Sequence, residues 1–322
     1  KLAVADRARI VLGPLYGRSA VAIRPIISAA GINAVVFSND RTVAGTPVHL
    51  MGLMPEQQIE RVIRFAVQRG YRRIGLLLPH GDYGDLVLKS ARASAIASGA
   101  EITRIAYYDA LASDFTETAL SFAEYENRRE ALKVQKDELA GRTDEISRQT
   151  LARLEAMDTL GDPPYDAILI PQGGNVLRTL APLLAFYDVD TRRVKLLGTA
   201  HWEDPSLGTE PSLVGGWFAA PPALYRENFE QRYEDAFGKR PSGLAALAYD
   251  SIALTVSLQS DENGANFGGA ALMSDGGFVA LNGIFRFVED GTNQRGLAVF
   301  EIGDRTLDVV DPAPEQFTDL TN

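Results

Sequence analysis

The sequence predicts an α/β fold in which a mainly parallel sheet is covered by helices on both faces. Short apolar runs of strand length alternate with amphipathic segments of helical length over most of the chain. Glycine or proline stands at many of the junctions between them. The chain has 322 residues, of which 46% are hydrophobic, so it is long enough to form two packed domains.

The first predicted elements alternate between strand and helix. They are a strand over 9–12, a helix over 19–30, a strand over 33–37 and a helix over 55–70. Gly31 and Gly70 end the two helices, because glycine readily adopts the left-handed conformation that follows many helices. Pro55 suits a first helical turn, where its missing N–H costs nothing. The apolar residues of the second helix recur at helical spacing and are Ile59, Val62, Ile63, Ala66 and Val67.

The same alternation continues through the middle of the chain. The predicted strands cover 72–79, 101–109, 165–174 and 193–202, and the predicted helices cover 85–98, 175–189 and 224–242. A helix between two strands of one sheet forms a βαβ unit, which requires the strands to be parallel. The order of elements therefore predicts a parallel sheet.

Residues 121–158 interrupt this order, because they are dense in Glu, Lys, Arg, Asp and Gln. Gly141 lies near the middle of the segment. The sparse apolar residues are Leu132, Leu139, Ile146, Leu151, Leu154 and Met157. This pattern predicts a hairpin of two charged helices that packs one thin apolar stripe on the body. The rest of its surface is either a solvated elaboration or an arm that binds a partner.

The C-terminal part of the chain changes character, because glycines separate several short apolar runs. Residues 289–296 are predicted as a loop that joins a strand over 285–288 to a strand over 297–302. We therefore expect β-hairpins at this end of the chain.

The composition excludes several classes of function. The net charge of −10 and the lack of a basic cluster disfavour nucleic-acid binding, which depends on Lys and Arg contacts to phosphates. The chain has no cysteine, which removes disulfides, thiolate catalysis and cysteine metal sites. His49, His80 and His201 stand apart without metal-ligand spacing, so no metal and no cofactor is predicted. No apolar run reaches the roughly 20 residues of a membrane helix.

Candidate binding residues lie in the loops that follow the predicted strands, because ligands of open α/β sheets bind beyond the carboxyl ends of the strands. The loops that meet this condition are 13–19, 38–41, 80–85, 171–175 and 199–204. Short polar side chains, N–H groups at helix starts and aromatic rings suit the recognition of a small polar ligand. The predicted ligand contacts are Gly17, Arg18, Ser19, Ser38, Asn39, Asp40, Tyr83, Gly173 and Trp202.

Several of these residues also have a plain structural explanation. Tyr83 can cap the edge of its own sheet, Arg18 can be a solvated side chain, and Asp40 can form a turn.

Catalysis is the least favoured hypothesis. His80 and Asp82 can form an acid–base pair, but neither the nucleophile elbow G-x-S-x-G nor a phosphate-loop motif occurs. We therefore expect a protein that binds a ligand and is not an enzyme.

Three blocks of the sequence resemble a known family. They are "ARIVLGPLYGRSAVAIRPIISAAGINAVVFSND", "RRIGLLLPHGDYGDLVL" and "YDAILIPQGG". In this order they resemble the type I periplasmic solute-binding proteins of the branched-chain amino-acid class. The resemblance implies two Rossmann-like lobes, joined by a multi-strand hinge, that close around a small ligand. The expected ranges are 1–72 for lobe 1, 73–214 for lobe 2 with the helical insertion 121–158, and 215–322 for a return to both lobes that includes the C-terminal β-hairpins.

The resemblance implies a periplasmic receptor that presents a small solute, such as an amino acid or a peptide, to the permease of an ABC transporter. An alternative stays open. "VFSNDRTVAG", "LMPEQQIERV" and the charged hairpin resemble penicillin-binding-protein activator lipoproteins, which regulate cell-wall synthesis by contacting a peptidoglycan synthase. Members of the fold begin with a strand, a helix and a second strand ahead of the first block. We therefore expect these elements, and a lipid anchor to the inner or outer membrane, upstream of residue 1.

Overall fold

The computed structural model of the protein describes residues 6–222, 226–259 and 265–317. Within these ranges the α-helices are α1 (Gly17–Ala30), α2 (Pro55–Gln68), α3 (Asp82–Ser98), α4 (Thr116–Phe122), α5 (Tyr125–Ala140), α6 (Glu145–Glu155), α7 (Gly174–Phe186), α8 (Arg226–Phe237), α9 (Gly243–Ser257) and α10 (Gly269–Leu272). The strands are β1 (Ile10–Leu12), β2 (Asn33–Val36), β3 (Val48–Leu50), β4 (Arg73–Pro79), β5 (Glu101–Tyr108), β6 (Ala167–Leu169), β7 (Lys195–Thr199), β8 (Trp217–Ala220), β9 (Phe278–Ala280), β10 (Gly283–Phe287), β11 (Asn293–Arg295), β12 (Ala298–Ile302) and β13 (Leu307–Asp311). Short 3₁₀ helices cover Arg41–Val43, Ala200–Trp202 and Pro205–Thr209.

The chain divides into two compact units. Unit 1 comprises 1–57, 220–298 and 311–322, and unit 2 comprises 58–219 and 299–310. Each unit buries a hydrophobic core of its own. The predicted boundary at 72/73 lies one helix after the division at 57/58. The predicted boundary at 214/215 lies one strand before the division at 219/220. The lobes stay a prediction, because compactness alone does not define which parts of a protein move together.

Unit 1 is built on a parallel sheet of three strands in the order β1-β2-β3. Successive side chains of a strand point to opposite faces, so the buried strand β2 has an apolar residue on either side. Ala34 and Val36 pack with residues of α1, whereas Val35 packs with residues of α9. The predicted sheet with a helix on each face is confirmed in this unit.

The predicted C-terminal β-hairpins are present, but the predicted pairing of 285–288 with 297–302 is wrong. Strand β10 turns back within residues 288–292 and pairs antiparallel with β11, while β9 pairs with its other edge. Strand β12, the predicted partner of residues 285–288, joins the sheet of unit 2 instead. The prediction failed because Asn293, Gln294 and Arg295 have the polarity of loop residues, although Asn293 and Arg295 are buried.

Unit 2 contains a seven-stranded sheet in the order β13-β12-β8-β7-β6-β4-β5. The five strands from β8 to β5 are parallel neighbours. This arrangement is the one that the repeated βαβ pattern predicts. Because parallel strands end at the same edge of a sheet, the loops after β4, β6 and β7 lie side by side.

Helices cover both faces of this sheet. On one face, Ile63 of α2 and Val87 of α3 pack with Leu76 of β4, and all three are completely buried. Burial of one such side chain contributes about 1.5–3 kcal/mol relative to leaving it exposed. Elsewhere in the unit, the ring of Phe122 stacks on Tyr165 with centroids 4.8 Å apart. The two elements that carry loops 80–85 and 171–175, β4 and β6, are thereby held in a rigid core.

The charged segment 121–158 contains the predicted helical hairpin, formed by α5 and α6. Leu132, Leu139 and Leu154 are buried in one small cluster, whereas Ile146 is 77% exposed. Arg128 of α5 is also buried, and its Nε donates a hydrogen bond to the carbonyl of Gly161 at 3.0 Å. The apolar stripe was expected to pack on the body, but it joins the two helices of the hairpin to each other. The buried Arg128, which has the sequence signature of a solvated charge, reaches residues beyond the hairpin.

Some elements differ from the prediction. Helix α3 begins at Asp82 rather than at residue 85, because Gly81 with φ of 95° turns the chain directly into the helix. Residues 200–202 form a 3₁₀ turn instead of the end of a strand. The sequence patterns did not predict β3, β8 and α9. Among the described residues, no helix is long and apolar enough to cross a lipid bilayer.

Candidate functional site

Three strand-end loops of unit 2 meet around Tyr83, which lies in the first turn of α3. The Tyr83 hydroxyl donates a hydrogen bond to the carbonyl of Pro171, at an oxygen–oxygen distance of 3.4 Å. Its ring stacks on the ring of His201, with centroids 6.0 Å apart and an interplanar angle of 21°. Tyr83 therefore joins the loops that follow β4, β6 and β7.

Two glycines allow close backbone approaches here, Gly84 between α3 and the end of β4 and Gly173 between two of the loops. A β-carbon on Gly84 would lie 1.8 Å from the carbonyl oxygen of Pro79, and one on Gly173 would lie 1.9 Å from the carbonyl oxygen of His201. Neither position can hold a side chain without moving the backbone. Gly173, a predicted ligand contact, thus sets the spacing between loops 171–175 and 199–204.

Thr199 and Trp202 hold loop 171–175 through hydrogen bonds to its backbone carbonyls. The Thr199 hydroxyl donates to the carbonyl of Pro171 at 2.9 Å, and Nε1 of Trp202 donates to the carbonyl of Gln172 at 3.0 Å. Trp202 was a predicted ligand contact, but its side chain is completely buried and offers no surface to a ligand. We assign it a supporting role.

One buried polar atom at this edge is unsatisfied. Within the part of the chain that the structure describes, Oε1 of Gln172 accepts no hydrogen bond. Buried polar atoms normally have a partner, and an orphaned acceptor marks a position that a ligand or ion can occupy. Gln172 lies in loop 171–175, next to Gly173.

The environment of His201 favours the uncharged form of its imidazole. Burial lowers the pKa of His201 below its ordinary value, although part of the side chain remains accessible. A neutral imidazole offers one donor and one acceptor. The Tyr83–His201 pair therefore presents an aromatic surface on which the neutral form of the imidazole is favoured.

The least favoured hypothesis, an acid–base pair of His80 and Asp82, finds no support in the geometry. The ring of His80 stacks on Tyr107, with centroids 5.4 Å apart, and no hydrogen bond joins His80 to Asp82 in the described ranges. Beside them, Tyr108 is 2% exposed, and its hydroxyl has no hydrogen-bond partner among the described residues. Burial raises the pKa of Tyr108, so this hydroxyl stays protonated. It is a second unsatisfied polar group at the carboxyl ends of the strands.

The strand-end loops of unit 1 bring together three of the predicted contacts, Gly17, Ser38 and Asp40. A β-carbon on Gly17 would lie 2.8 Å from Oδ2 of Asp40. The Ser38 hydroxyl accepts a hydrogen bond from the N–H of Asp40 at 3.0 Å, and Oδ1 of Asp40 accepts one from the hydroxyl of Thr42 at 2.7 Å. Asp40 therefore caps the turn that follows β2 and leaves Oδ2 facing the start of α1.

The remaining predicted residues of unit 1 are less engaged. The guanidinium of Arg18 lies over the ring of Tyr16 at 5.6 Å, and Arg18 and Asn39 are both exposed. Ser19 is half-buried in the first turn of α1, where its N–H bonds to the carbonyl of Tyr16 at 3.0 Å. In the described residues, no group of three or more His, Asp and Glu side chains is placed to hold a metal ion.

Sequence reasoning missed Gln172, Tyr107 and Tyr108. The two tyrosines end the predicted strand over 101–109, so the strand-end rule could have found them had it been applied to this strand as well. Gln172 lay inside a selected loop, but nothing in the sequence distinguishes an unsatisfied amide from a paired one.

Comparison with known families gives one match that spans most of the chain. A profile of the family described as "Periplasmic binding protein" matches residues 1–306. Among curated proteins, no sequence matches the chain.

Several solved structures share the fold. A protein of Rhodospirillum rubrum described as a branched-chain amino acid ABC transporter has a TM-score of 0.72 and 13% identity, with 95% of this chain and 81% of that chain covered. An ABC-transporter solute-binding protein of R. palustris in complex with benzoate has a TM-score of 0.61 and 13% identity, covering 98% and 81%. A leucine binding protein of Thermotoga maritima has a TM-score of 0.59 and 15% identity, covering 96% and 82%. None of these three is described as a regulator of cell-wall synthesis, so the activator alternative is not favoured.

Proposed function

Because the chain belongs to the periplasmic binding protein family, we propose that it is a solute-binding protein that delivers a small organic acid to the permease of an ABC transporter. The family implies a periplasmic location. Two proteins of the same fold are described as binding benzoate and leucine. Both ligands combine a carboxylate with an apolar group, and this is the class of solute that we propose. The predicted membrane anchor stays a prediction.

The observation that carries the proposal is the partly exposed ring pair of Tyr83 and His201 at the carboxyl edge of the unit 2 sheet. Such a pair supplies an apolar face for the body of a small ligand. Helix α7 begins next to it, after Gly173, without a side-chain cap and without an acidic residue in its first turn. The N–H groups of this first turn suit a carboxylate.

The unsatisfied groups at the same edge add hydrogen-bonding positions. Oε1 of Gln172 can accept a hydrogen bond from a ligand hydroxyl or ammonium, and the Tyr108 hydroxyl has a free donor position among the described residues. This role requires binding and no chemical step, so we propose that the protein is not an enzyme. The predicted contacts in unit 1 stay predictions and are Gly17, Arg18, Ser19, Ser38, Asn39 and Asp40.

Isothermal titration calorimetry tests the proposal directly. The purified protein is titrated with benzoate, 4-hydroxybenzoate, 3,4-dihydroxybenzoate and leucine, and with the corresponding amides, in which a neutral group replaces the carboxylate. We expect saturable binding of at least one acid and weaker binding of its amide. If no acid binds, or if acid and amide bind equally, the proposed class of solute is wrong.

A pair of tyrosine variants locates the site. Tyr83→Ala removes half of the ring pair, and we expect it to weaken the affinity for the bound acid by about tenfold or more. Tyr249→Ala is the matched control, because Tyr249 is a half-exposed tyrosine of α9 whose ring contacts Phe229 of α8. Equal affinities for Tyr83→Ala and the unchanged protein would show that Tyr83 is not a ligand contact.

A further inference from the structure

A second pocket lies in unit 2, near the amino-terminal ends of the strands. Arg73 opens β4, Asp166 precedes β6 and Val194 precedes β7, and all three line it. Residues of the charged insertion, Arg128 of α5 and Met157 after α6, complete the wall. The cavity has a volume of about 460 Å³, within the range of small-molecule sites. It is separate from the strand-end loops around Tyr83, which lie at the opposite edge of the sheet.

The charges that line this pocket are balanced in pairs. Arg73 pairs with Asp166 at 3.5 Å, Arg128 with Asp188 at 3.4 Å, and Arg193 with Asp162 at 3.0 Å. The remaining carboxylate, Asp190, pairs with Arg192 at 2.9 Å. An anion or a cation entering the pocket would therefore have to compete with an existing ion pair for its partner.

A hydroxyl group has no such conflict. Each hydroxyl donates one hydrogen bond and accepts others, so it can bind beside an ion pair, accepting from an arginine N–H and donating to a carboxylate oxygen, while the pair stays intact. Several hydroxyls on one small molecule match several neighbouring pairs. The side chains of Met157, Pro163 and Val194 add an apolar strip on which the carbon skeleton can pack.

The polar wall of the pocket is formed before any ligand arrives. The Arg128 side chain is only 10% exposed and donates to the carbonyls of Gly161 and Asp188, at 3.0 and 3.2 Å. The hydroxyl of Thr159 donates to Oδ2 of Asp188. These contacts fix Asp188, whose backbone has a φ of 59°, in a conformation that residues with a side chain rarely adopt. A wall held in this way loses little entropy on binding.

We propose that this pocket is a second binding site for a small uncharged polyol or sugar, independent of the proposed solute site. The insertion 121–158 then has a function of its own, because it supplies Arg128 and Met157 to a cavity that the sheet alone does not enclose. This occupant fits the paired charges better than a carboxylate or an ammonium compound does.

The test uses myo-inositol, sorbitol and glucose as uncharged probes, with acetate and glycine as charged ones, in calorimetry at concentrations up to about 10 mM. At least one uncharged probe is expected to bind, and to raise the melting temperature by about 2 °C or more when saturating. Binding by the charged probes alone, or by none, overturns the proposal.

Two tryptophan variants of the insertion place the site. Met157→Trp fills part of the cavity and is expected to weaken polyol affinity by about tenfold or more. Ile146→Trp is the matched control, because Ile146 is an exposed residue of α6 that does not line the cavity. Tyr83→Ala should leave polyol binding unchanged, whatever it does to the binding of an organic acid. Polyol affinity that survives Met157→Trp would place the binding elsewhere and overturn the proposal.

Discussion

Gly84 lies against the carbonyl oxygen of Pro79, and a β-carbon there would come within 1.8 Å of that oxygen. Gly84→Ala must therefore push α3 away from β4, and with it the neighbouring Tyr83. We expect a loss of about 2–3 kcal/mol in the free energy of unfolding, measured by urea denaturation. We also expect weaker binding of any solute that contacts Tyr83.

Gly141→Ala is the matched control for this substitution. Gly141 follows α5 with φ of −78°, and a β-carbon on it would meet no neighbouring group of the described chain within 4 Å. Alanine in such a place is neutral or stabilising by up to about 1 kcal/mol, because it reduces the freedom of the unfolded chain. Equal effects at Gly84 and Gly141 would contradict the close approach of α3 to β4.

His49 makes the stability of unit 1 dependent on pH. The side chain is completely buried, and burial lowers the pKa of His49 from 6.5 to about 4. Between these two values the unfolded chain binds a proton that the folded unit does not, so the free energy of unfolding falls as the pH falls. At 1.36 kcal/mol for each pKa unit, the loss by pH 4 is about 3 kcal/mol.

The measurement is urea denaturation at several pH values between 4 and 7. His49→Gln cannot titrate and should have a flatter pH dependence than the unchanged protein. A parallel pH profile for His49→Gln and the unchanged protein would show that His49 does not contribute this slope.

For single residues, the sequence predicted where candidate residues lie in the fold better than it predicted what their side chains contact. The rule that ligands bind at the carboxyl ends of strands selected Tyr83 and the loops with which it makes contact. The same rule selected Trp202, which is buried, because an aromatic residue in a loop has the same sequence signature whether its ring faces solvent or the core. Arg128 is a residue of the opposite kind, because its charged neighbours predict an exposed side chain, whereas it is buried. In the sequence, a buried arginine within a charged run cannot be distinguished from its exposed neighbours.

Among the secondary-structure elements, the attachment of the helical hairpin α5–α6 depends on Arg128. Its guanidinium satisfies the carbonyls of Gly161 and Asp188 and pairs with the Asp188 carboxylate. Arg128→Ala leaves these groups without their donor, and we expect a loss of about 2–4 kcal/mol in the free energy of unfolding.

The adjacent Arg129 is exposed and provides the control. Arg129→Ala should change the free energy of unfolding by no more than about 0.5 kcal/mol. Limited proteolysis gives a second measurement, because a loosened hairpin is cut faster between α5 and α6. Similar stability of the two variants would mean that Arg128 does not attach the hairpin to the rest of the unit.

Long elements with a regular pattern were predicted from the sequence, and short or unusual ones were not. Helix α2 has apolar residues at helical spacing and a proline in its first turn, so both its existence and its start were predicted. Strand β3 has three residues, too few to show an alternation. Strand β11 consists of Asn293, Gln294 and Arg295, and its burial arises from the packing of unit 1 rather than from its composition.

For the whole molecule, the parallel order of the unit 2 sheet followed from the alternation of strands and helices, because a βαβ connection leaves few other topologies. The division into units did not follow in the same way. The chain enters unit 1 again at residue 220 and at residue 311. No composition shift marks these positions, since each lies at the end of a strand.

The net charge of the whole chain controls its association in solution. The formal net charge is −10 at pH 7 and the isoelectric point is about 4.9, so repulsion between molecules is strong at pH 7 and vanishes near pH 5. We expect light scattering at low salt to show repulsion at pH 7 and attraction near pH 4.9.

The same acid range lowers the stability of unit 1 through His49, so circular dichroism at each pH must separate association of folded molecules from unfolding. The His49→Gln variant should keep the association and lose less stability in the same pH range. Repulsion that persists at pH 4.9 in folded protein would contradict control by net charge.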